Sequence, residues 1–254
     1  MKRALLVFIL FSVCGVALGQ RNKINLLSTF DNKTLHFGFT LGLNYLDFSV
    51  RNYEYIGENP HFVYRDWAGG PDITSRSQVR ADVAKLIPGF TVGIITSLRV
   101  SQYLELRFLP GMSFGERKLK YNIEVIDNYF NFTEKQYDYS IKSTFLDFPV
   151  HFKYKAHRIN NGRPYVIFGG AYRVDISKAA EQDLVGLTRN GFYGEVGAGW
   201  DTYLIFFRLS IEAKVSIGLN NQLTVGPNNT QRHYYTDALR SLHSNIFTLS
   251  FHFE

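Results

Sequence analysis

Between Phe207 and Asn221 the chain changes character at every residue. Leu209, Ile211, Ala213, Val215, Ile217 and Leu219 are apolar; Ser210, Glu212, Lys214, Ser216, Gly218 and Asn220 between them are small, polar or charged. A period of two is the mark of a β-strand with one greasy and one wet face. The run of eleven residues from Leu209 to Leu219 exceeds the usual soluble strand of about 5–6. It matches what a tilted strand needs to cross a bilayer.

Seven other stretches repeat the pattern, at 35–48, 89–100, 103–109, 143–155, 164–174, 191–203 and 245–253. In the first, Phe37, Phe39, Leu41, Leu43 and Tyr45 alternate with His36, Gly38, Thr40, Gly42 and Asn44. Short connections fall at Ser101-Gln102, at Asn160-Asn161-Gly162 and near Leu204-Ile205. The segments 49–88, 110–142, 175–190 and 220–244 are longer and polar. Within them, 75–86 reads as helix-like, 118–125 as a strand extension and 236–242 as a helical turn. Eight strands with connections alternating long and short predict an all-β fold: an eight-stranded antiparallel transmembrane up-and-down β-barrel. Its short turns would be periplasmic and its long loops extracellular. Rings would gather where the wall meets headgroups: Phe48, Phe90 and Phe192 at the outer rim, and Tyr154, Trp200, Tyr203 and Phe253 at the periplasmic rim.

Alternation alone does not say which face is inside. Gly38, Gly42, Gly93, Gly197, Gly199 and Gly218 all lie on the wet face. The interior of an eight-stranded barrel is just wide enough for side chains, so small residues belong there. The wet face therefore points inward and the apolar face meets lipid. The inward charges are Arg99, Glu105, Arg107, Asp147, Lys153, Lys155, Arg173, Glu195, Asp201, Glu212 and Lys214. Both signs are present in near balance, and buried charges persist only when paired. They are expected to form a structural network filling the interior, not a conducting pore.

The N-terminus adds the route. Met1-Lys2-Arg3 precedes an apolar run to Leu18, and Ala17-Leu18-Gly19 offers a cleavage site before Gln20. This reads as a secretory signal peptide over 1–19, too short for a spanning helix. A polar periplasmic leader over 20–34 and a barrel over 35–254 would follow. Removing 19 of the 254 residues leaves 235, without the single cysteine, Cys14. The formal charge falls from +6 to +4 as Lys2 and Arg3 leave. That mild excess, with no block of like charges, gives no nucleic-acid signature.

Catalytic chemistry finds little support. His61, His233 and His243 fall in the long segments, with Asp66, Asp72 and Asp237 nearby in sequence. No spacing ties them into a triad, which is defined by geometry. His36, His151 and His252 point inward as ordinary hydrogen-bonded histidines, without metal-ligand spacing. The sequence therefore predicts neither catalytic, cofactor-binding nor metal-binding residues, and no small-molecule substrate. Tyr53, Tyr55, Phe62, Tyr64 and Trp67 form either a contact surface or a self-packed extracellular lobe.

Several strands carry a family resemblance. The run Leu35-His-Phe-Gly-Phe-Thr-Leu-Gly-Leu-Asn-Tyr-Leu-Asp-Phe48 resembles the first strand of the PorT family of outer-membrane barrels. Thr144-Phe-Leu-Asp-Phe-Pro-Val-His-Phe-Lys-Tyr-Lys155, Arg163-Pro-Tyr-Val-Ile-Phe-Gly-Gly-Ala-Tyr172 and Gly194-Glu-Val-Gly-Ala-Gly-Trp200 resemble later ones. So do Glu212 with Ser216-Ile-Gly-Leu-Asn-Asn221, and Thr236-Asp-Ala-Leu-Arg-Ser241. The resemblance implies a non-enzymatic component of the type IX protein secretion system, which serves gliding motility in some relatives. Its partners would be outer-membrane lipid and other secretion proteins of the outer membrane or periplasm. The residue readings leave two alternatives open: a small outer-membrane enzyme acting on lipid A or peptides, and a structural or adhesive barrel.

Overall fold

The computed structural model describes residues 25–62, 74–126, 132–177, 187–223 and 234–254. Among these, ten strands form a single sheet: β1 (Leu35–Asn52), β2 (Gln78–Leu86), β3 (Pro88–Arg99), β4 (Leu104–Phe108), β5 (Gly111–Ile126), β6 (Phe132–Lys155), β7 (Gly162–Asp175), β8 (Asn190–Tyr203), β9 (Arg208–Gly218) and β10 (Leu239–Phe253). One short helix, α1 (Tyr234–Asp237), precedes β10. All pairings are antiparallel.

The ring closes because β1 pairs with β10 on one side and β3 on the other. Two wall elements are made of two strands each. β2 runs into β3, and β4 runs into β5 across Leu109-Pro110, where Pro110 still accepts the Ile94 N–H at 2.9 Å. Ten strands thus make the eight staves of an up-and-down barrel. Tight connections at one end join β3 to β4, β6 to β7 and β8 to β9. In the second, Asn160 takes φ 54° between reciprocal Ile159 and Gly162 backbone bonds, the left-handed geometry that an Asn-Asn-Gly turn supplies.

The long segments are less loop-like than their polarity suggests. Residues 75–86 hold β2, not a helix: Val79 and Ala81 are buried while Arg80 and Asp82 are exposed, and β5 is its neighbour. The 110–142 segment is mostly the β5–β6 hairpin, and 236–242 holds the end of α1 and the start of β10. Pairing overrides local helix propensity wherever a neighbouring strand offers a free edge.

Polarity along the staves then inverts. In the lower barrel the outward face is apolar: Phe37 is 63% exposed, Ile94 61% and Phe192 57%. The inward glycines are crowded, as predicted. A Cβ on Gly38 would sit 2.1 Å from the Phe253 carbonyl oxygen, and one on Gly199 would meet the Tyr165 ring at 2.4 Å. Above Tyr45 and Phe114 the outward positions become Asp47, Glu116, Lys118 and Lys120. The inward ones become Leu46, Phe48, Leu119, Tyr121 and Ile123, all buried. The wall is inside-out below this line and ordinary above it, which places one edge of an apolar slab. Phe48 accordingly faces inward, contrary to its predicted place in an outer ring.

Two layers close the long-loop end. Leu46, Phe145, Ala171, Tyr193 and Ile246 pack across the lumen. Above them, Phe48, Ile56, Val79, Ala81, Leu119, Tyr121, Ile123, Ile141, Leu223, Ala238, Leu239 and Leu242 form a second apolar core. Phe62 packs on it, so this loop aromatic belongs to a self-packed lobe. Tyr64 and Trp67 lie outside the described residues.

Candidate functional site

The wet faces of β4 and of β6 to β10 converge on the lower lumen, where strand register sets Asp147 opposite Arg173 and Arg163 opposite Asp201. Residues 105 and 153 face each other across β4 and β6, as do 201 and 210 across β8 and β9. Nearest the short turns, Lys153 Nζ donates to both Asp201 oxygens at 2.7 and 2.8 Å, and Lys155 pairs with Glu105. Arg208 lies among Glu254 at 2.6 Å, Asp201 at 3.7 Å and Glu105 at 3.8 Å.

One layer up, Arg107 donates to Glu212 at 2.9 Å. The same carboxylate accepts the Tyr165 hydroxyl at 2.9 Å and has His252 Nε2 at 3.4 Å. Higher still, Arg173 bridges Asp147 at 3.0 Å and Glu195 at 2.6 Å. Glu195 is shared with Lys214 at 3.0 Å, Ser216 at 2.5 Å and His151. Ser113 donates to the other oxygen of Asp147. Cations also lie over ring faces: Lys153 Nζ is 3.7 Å from the Tyr165 centroid and the Arg173 guanidinium 4.4 Å from that of Tyr193.

Ten of the eleven predicted inward charges meet here: Glu105, Arg107, Asp147, Lys153, Lys155, Arg173, Glu195, Asp201, Glu212 and Lys214. Arg99 does not. It sits half-buried at the mouth and bonds the Asp31 carbonyl at 2.5 Å. Arg208, Glu254, Tyr165 and the two histidines complete the network. Arg208 could have been found from parity, since it shares the face of Ser210 and Glu212. Glu254 follows a strand end, where alternation is no longer a guide.

The segment before β1 closes the short-turn mouth. Phe30 stacks on His36 with centroids 4.1 Å apart, and the Arg208 guanidinium lies 4.8 Å from the Phe30 ring centre. Asp31 accepts the Tyr203 hydroxyl at 2.9 Å and faces Arg163 at 3.4 Å. Tyr203 therefore turns inward, not into the predicted rim of outward rings, whereas Tyr154 and Trp200 do face out. Residues 25–34 are a plug on the mouth; residues 1–24 lie outside those described.

The chemistry available is that of a sealed ionic core. The cavity beside Thr40, Ser113, Arg173 and His252 measures about 30 Å³, room for one or two waters and no solute. Among the described residues a serine, a carboxylate and a histidine meet at Ser216–Glu195–His151, with the carboxylate in the middle and already held by Arg173 and Lys214. A nucleophile needs the His between Ser and carboxylate. Of the loop candidates, His243 Nδ1 lies 3.2 Å from the Gly218 carbonyl oxygen, while Asp66, Asp72 and His233 lie outside the described residues.

A family model described as outer membrane protein beta-barrel domain matches residues 19–224. No curated protein matches the sequence. Among solved structures, the chain is similar to the crystal structure of the outer membrane protein OprG from Pseudomonas aeruginosa. The identity is 10% and the TM-score 0.39, over 85% of this chain and 92% of that one.

Proposed function

As the chain belongs to the outer membrane protein beta-barrel domain family, we propose that it serves type IX protein secretion as a non-enzymatic, non-conducting barrel. It acts through protein contacts at its two ends. The observation that carries this reading is the lumen, filled by paired charges and covered above by an apolar core and below by Phe30 and Asp31. Among the described residues the filled lumen leaves no open path for a solute, which makes the rims the working surfaces in this reading. The resemblance of its strands to the PorT family names the pathway.

In this reading the first 19 residues direct export, the short-turn end with its plug faces the periplasm, and the long-loop lobe faces outward. Partners are other secretion proteins of the outer membrane or periplasm. A clean deletion of the gene should leave type IX cargo inside the cell, unprocessed, and plasmid complementation should restore secretion. Normal cargo secretion in the deletion strain rejects the role. Altered lipid A with intact secretion would point to the enzymatic alternative instead.

A further inference from the structure

Beside the plug, at the short-turn rim, three guanidiniums surround a cavity of about 190 Å³ lined by Arg99, Arg158, Arg163, His157, Tyr103 and Asp31, among others. All three are held by backbone carbonyls, Arg99 by that of Asp31 at 2.5 Å. Arg158 donates to the Asn160 carbonyl at 2.7 Å and Arg163 to those of Ala156 at 2.7 Å and Gln102 at 3.1 Å. One carboxylate, Asp31, faces them, 3.4 Å from Arg163 and 4.0 Å from Arg158, and Lys155 also lies 3.8 Å from it. The local balance is positive. Preplaced guanidiniums match the oxygens of a phosphate group, and cationic clusters at a membrane surface attract anionic headgroups.

The surroundings indicate where the phosphate comes from. Val100, Tyr103, Tyr154 and Ile159, near the cavity in the wall and turns, are exposed apolar or aromatic side chains, 56%, 37%, 54% and 56% accessible. They belong to the lower edge of the apolar belt, the level of phospholipid headgroups. We propose that the cavity binds the phosphate of an anionic phospholipid in the leaflet nearest the short turns. Its acyl chains would lie along the belt, and the bound headgroup would brace the plug through Arg99 and Arg158.

This inference rests on the membrane orientation proposed above only for naming the periplasmic leaflet. The test is therefore made in nanodiscs, where both leaflets are alike. The full chain would be reconstituted with mixed phosphatidylglycerol and phosphatidylcholine, released, and its retained lipids counted by native mass spectrometry. Inorganic phosphate serves as a separate competitor. Wild type should retain phosphatidylglycerol selectively. Arg99→Gln and Arg158→Gln should each weaken retention about fivefold, near the ~1 kcal/mol expected per surface cation, while keeping the heat-dependent gel shift of a folded barrel. Arg99→Gln carries the test alone if Arg158→Gln does not fold. Equal retention of the two lipids, or unchanged retention in Arg99→Gln, overturns the site. Binding of inorganic phosphate without lipid retention overturns the lipid assignment. Selective retention together with a loop-end epitope hidden on intact cells would fault the orientation and leave the site standing.

Discussion

Glu254 and Arg208 hold each other three times. The Arg208 N–H donates to the Glu254 carbonyl at 2.7 Å, the Glu254 N–H to the Arg208 carbonyl at 3.0 Å, and Arg208 Nη2 to Glu254 Oε2 at 2.6 Å. Both side chains are fully buried, and Arg107 Nη2 lies 3.7 Å from the same carboxylate. The residue after the last strand thereby sends its charge into the lumen while Phe253 stays in the wall, stacked on Phe39 at 4.7 Å.

Removing one partner of this pair should cost far more than removing both. Glu254→Gln leaves Arg208 short of a carboxylate in a low-dielectric interior, a loss of about 3–5 kcal/mol. Replacing Arg208 and Glu254 together with methionines should recover much of it, because an apolar pair needs no compensation. Urea unfolding in lipid vesicles, followed by gel mobility, gives the three values. A double variant as unstable as the sum of the singles would show no coupling.

Glu212 tests the next layer. It accepts from Arg107 and Tyr165 and faces His252. Glu212→Leu should abolish or strongly slow folding into vesicles, by the same penalty of about 3–5 kcal/mol. Secretion should fail only as far as folded barrel is lost. A variant that folds with normal stability would show that the network is ornamental at this carboxylate.

How much of this was legible depends on what sets each feature. The staves were legible because lipid on one side and charge on the other imposes a strict period of two on residues such as Leu209 to Leu219. The interior charges followed from parity and from the glycines. Phe48 and Tyr203 depart from the expected rims because aromatic identity does not fix the side of the wall: both are buried, one in the upper core and one on Asp31. Residues 75–86 look helix-like in isolation, although Val79, Ala81 and Val83 alternate with Arg80 and Asp82. Their fate is set by β5, more than thirty residues away, at pairs such as Ala81 and Tyr121. The plug was not legible, because Phe30 and Asp31 sit in a polar stretch with no period.

The polarity inversion gives a position-dependent prediction. Ile94, outward and 61% exposed, pairs with Phe39 in the middle of the belt. Ile94→Arg should destabilise the vesicle-inserted barrel by about 2–4 kcal/mol. Lys120→Glu, outward on β5 above the inversion, should stay within about 0.5 kcal/mol. Val79→Arg, which forces a charge into the upper core, should be severe although it lies in the same water-facing lobe. If Ile94→Arg is as mild as Lys120→Glu in vesicles, the apolar band does not meet lipid.

The last prediction concerns the plug. Cys14 is the only cysteine and precedes the expected cleavage site, so a single engineered thiol reports unambiguously. Ser97 is fully buried and its hydroxyl donates to Glu254 at 2.9 Å, so Ser97→Cys places a near-isosteric probe in the lower lumen. A small charged methanethiosulfonate should label it slowly in the otherwise native barrel, because Phe30 on His36 and Asp31 on Tyr203 cover the mouth. Adding Phe30→Ala and Asp31→Asn removes a ring stack worth about 0.5–1.5 kcal/mol and a charged hydrogen bond worth about 1.5–3 kcal/mol. Local opening should then rise, and labelling with it, by at least about tenfold while the global unfolding midpoint moves little. Equal labelling rates with and without the plug substitutions would mean that the ionic core, and not residues 25–34, keeps reagents out.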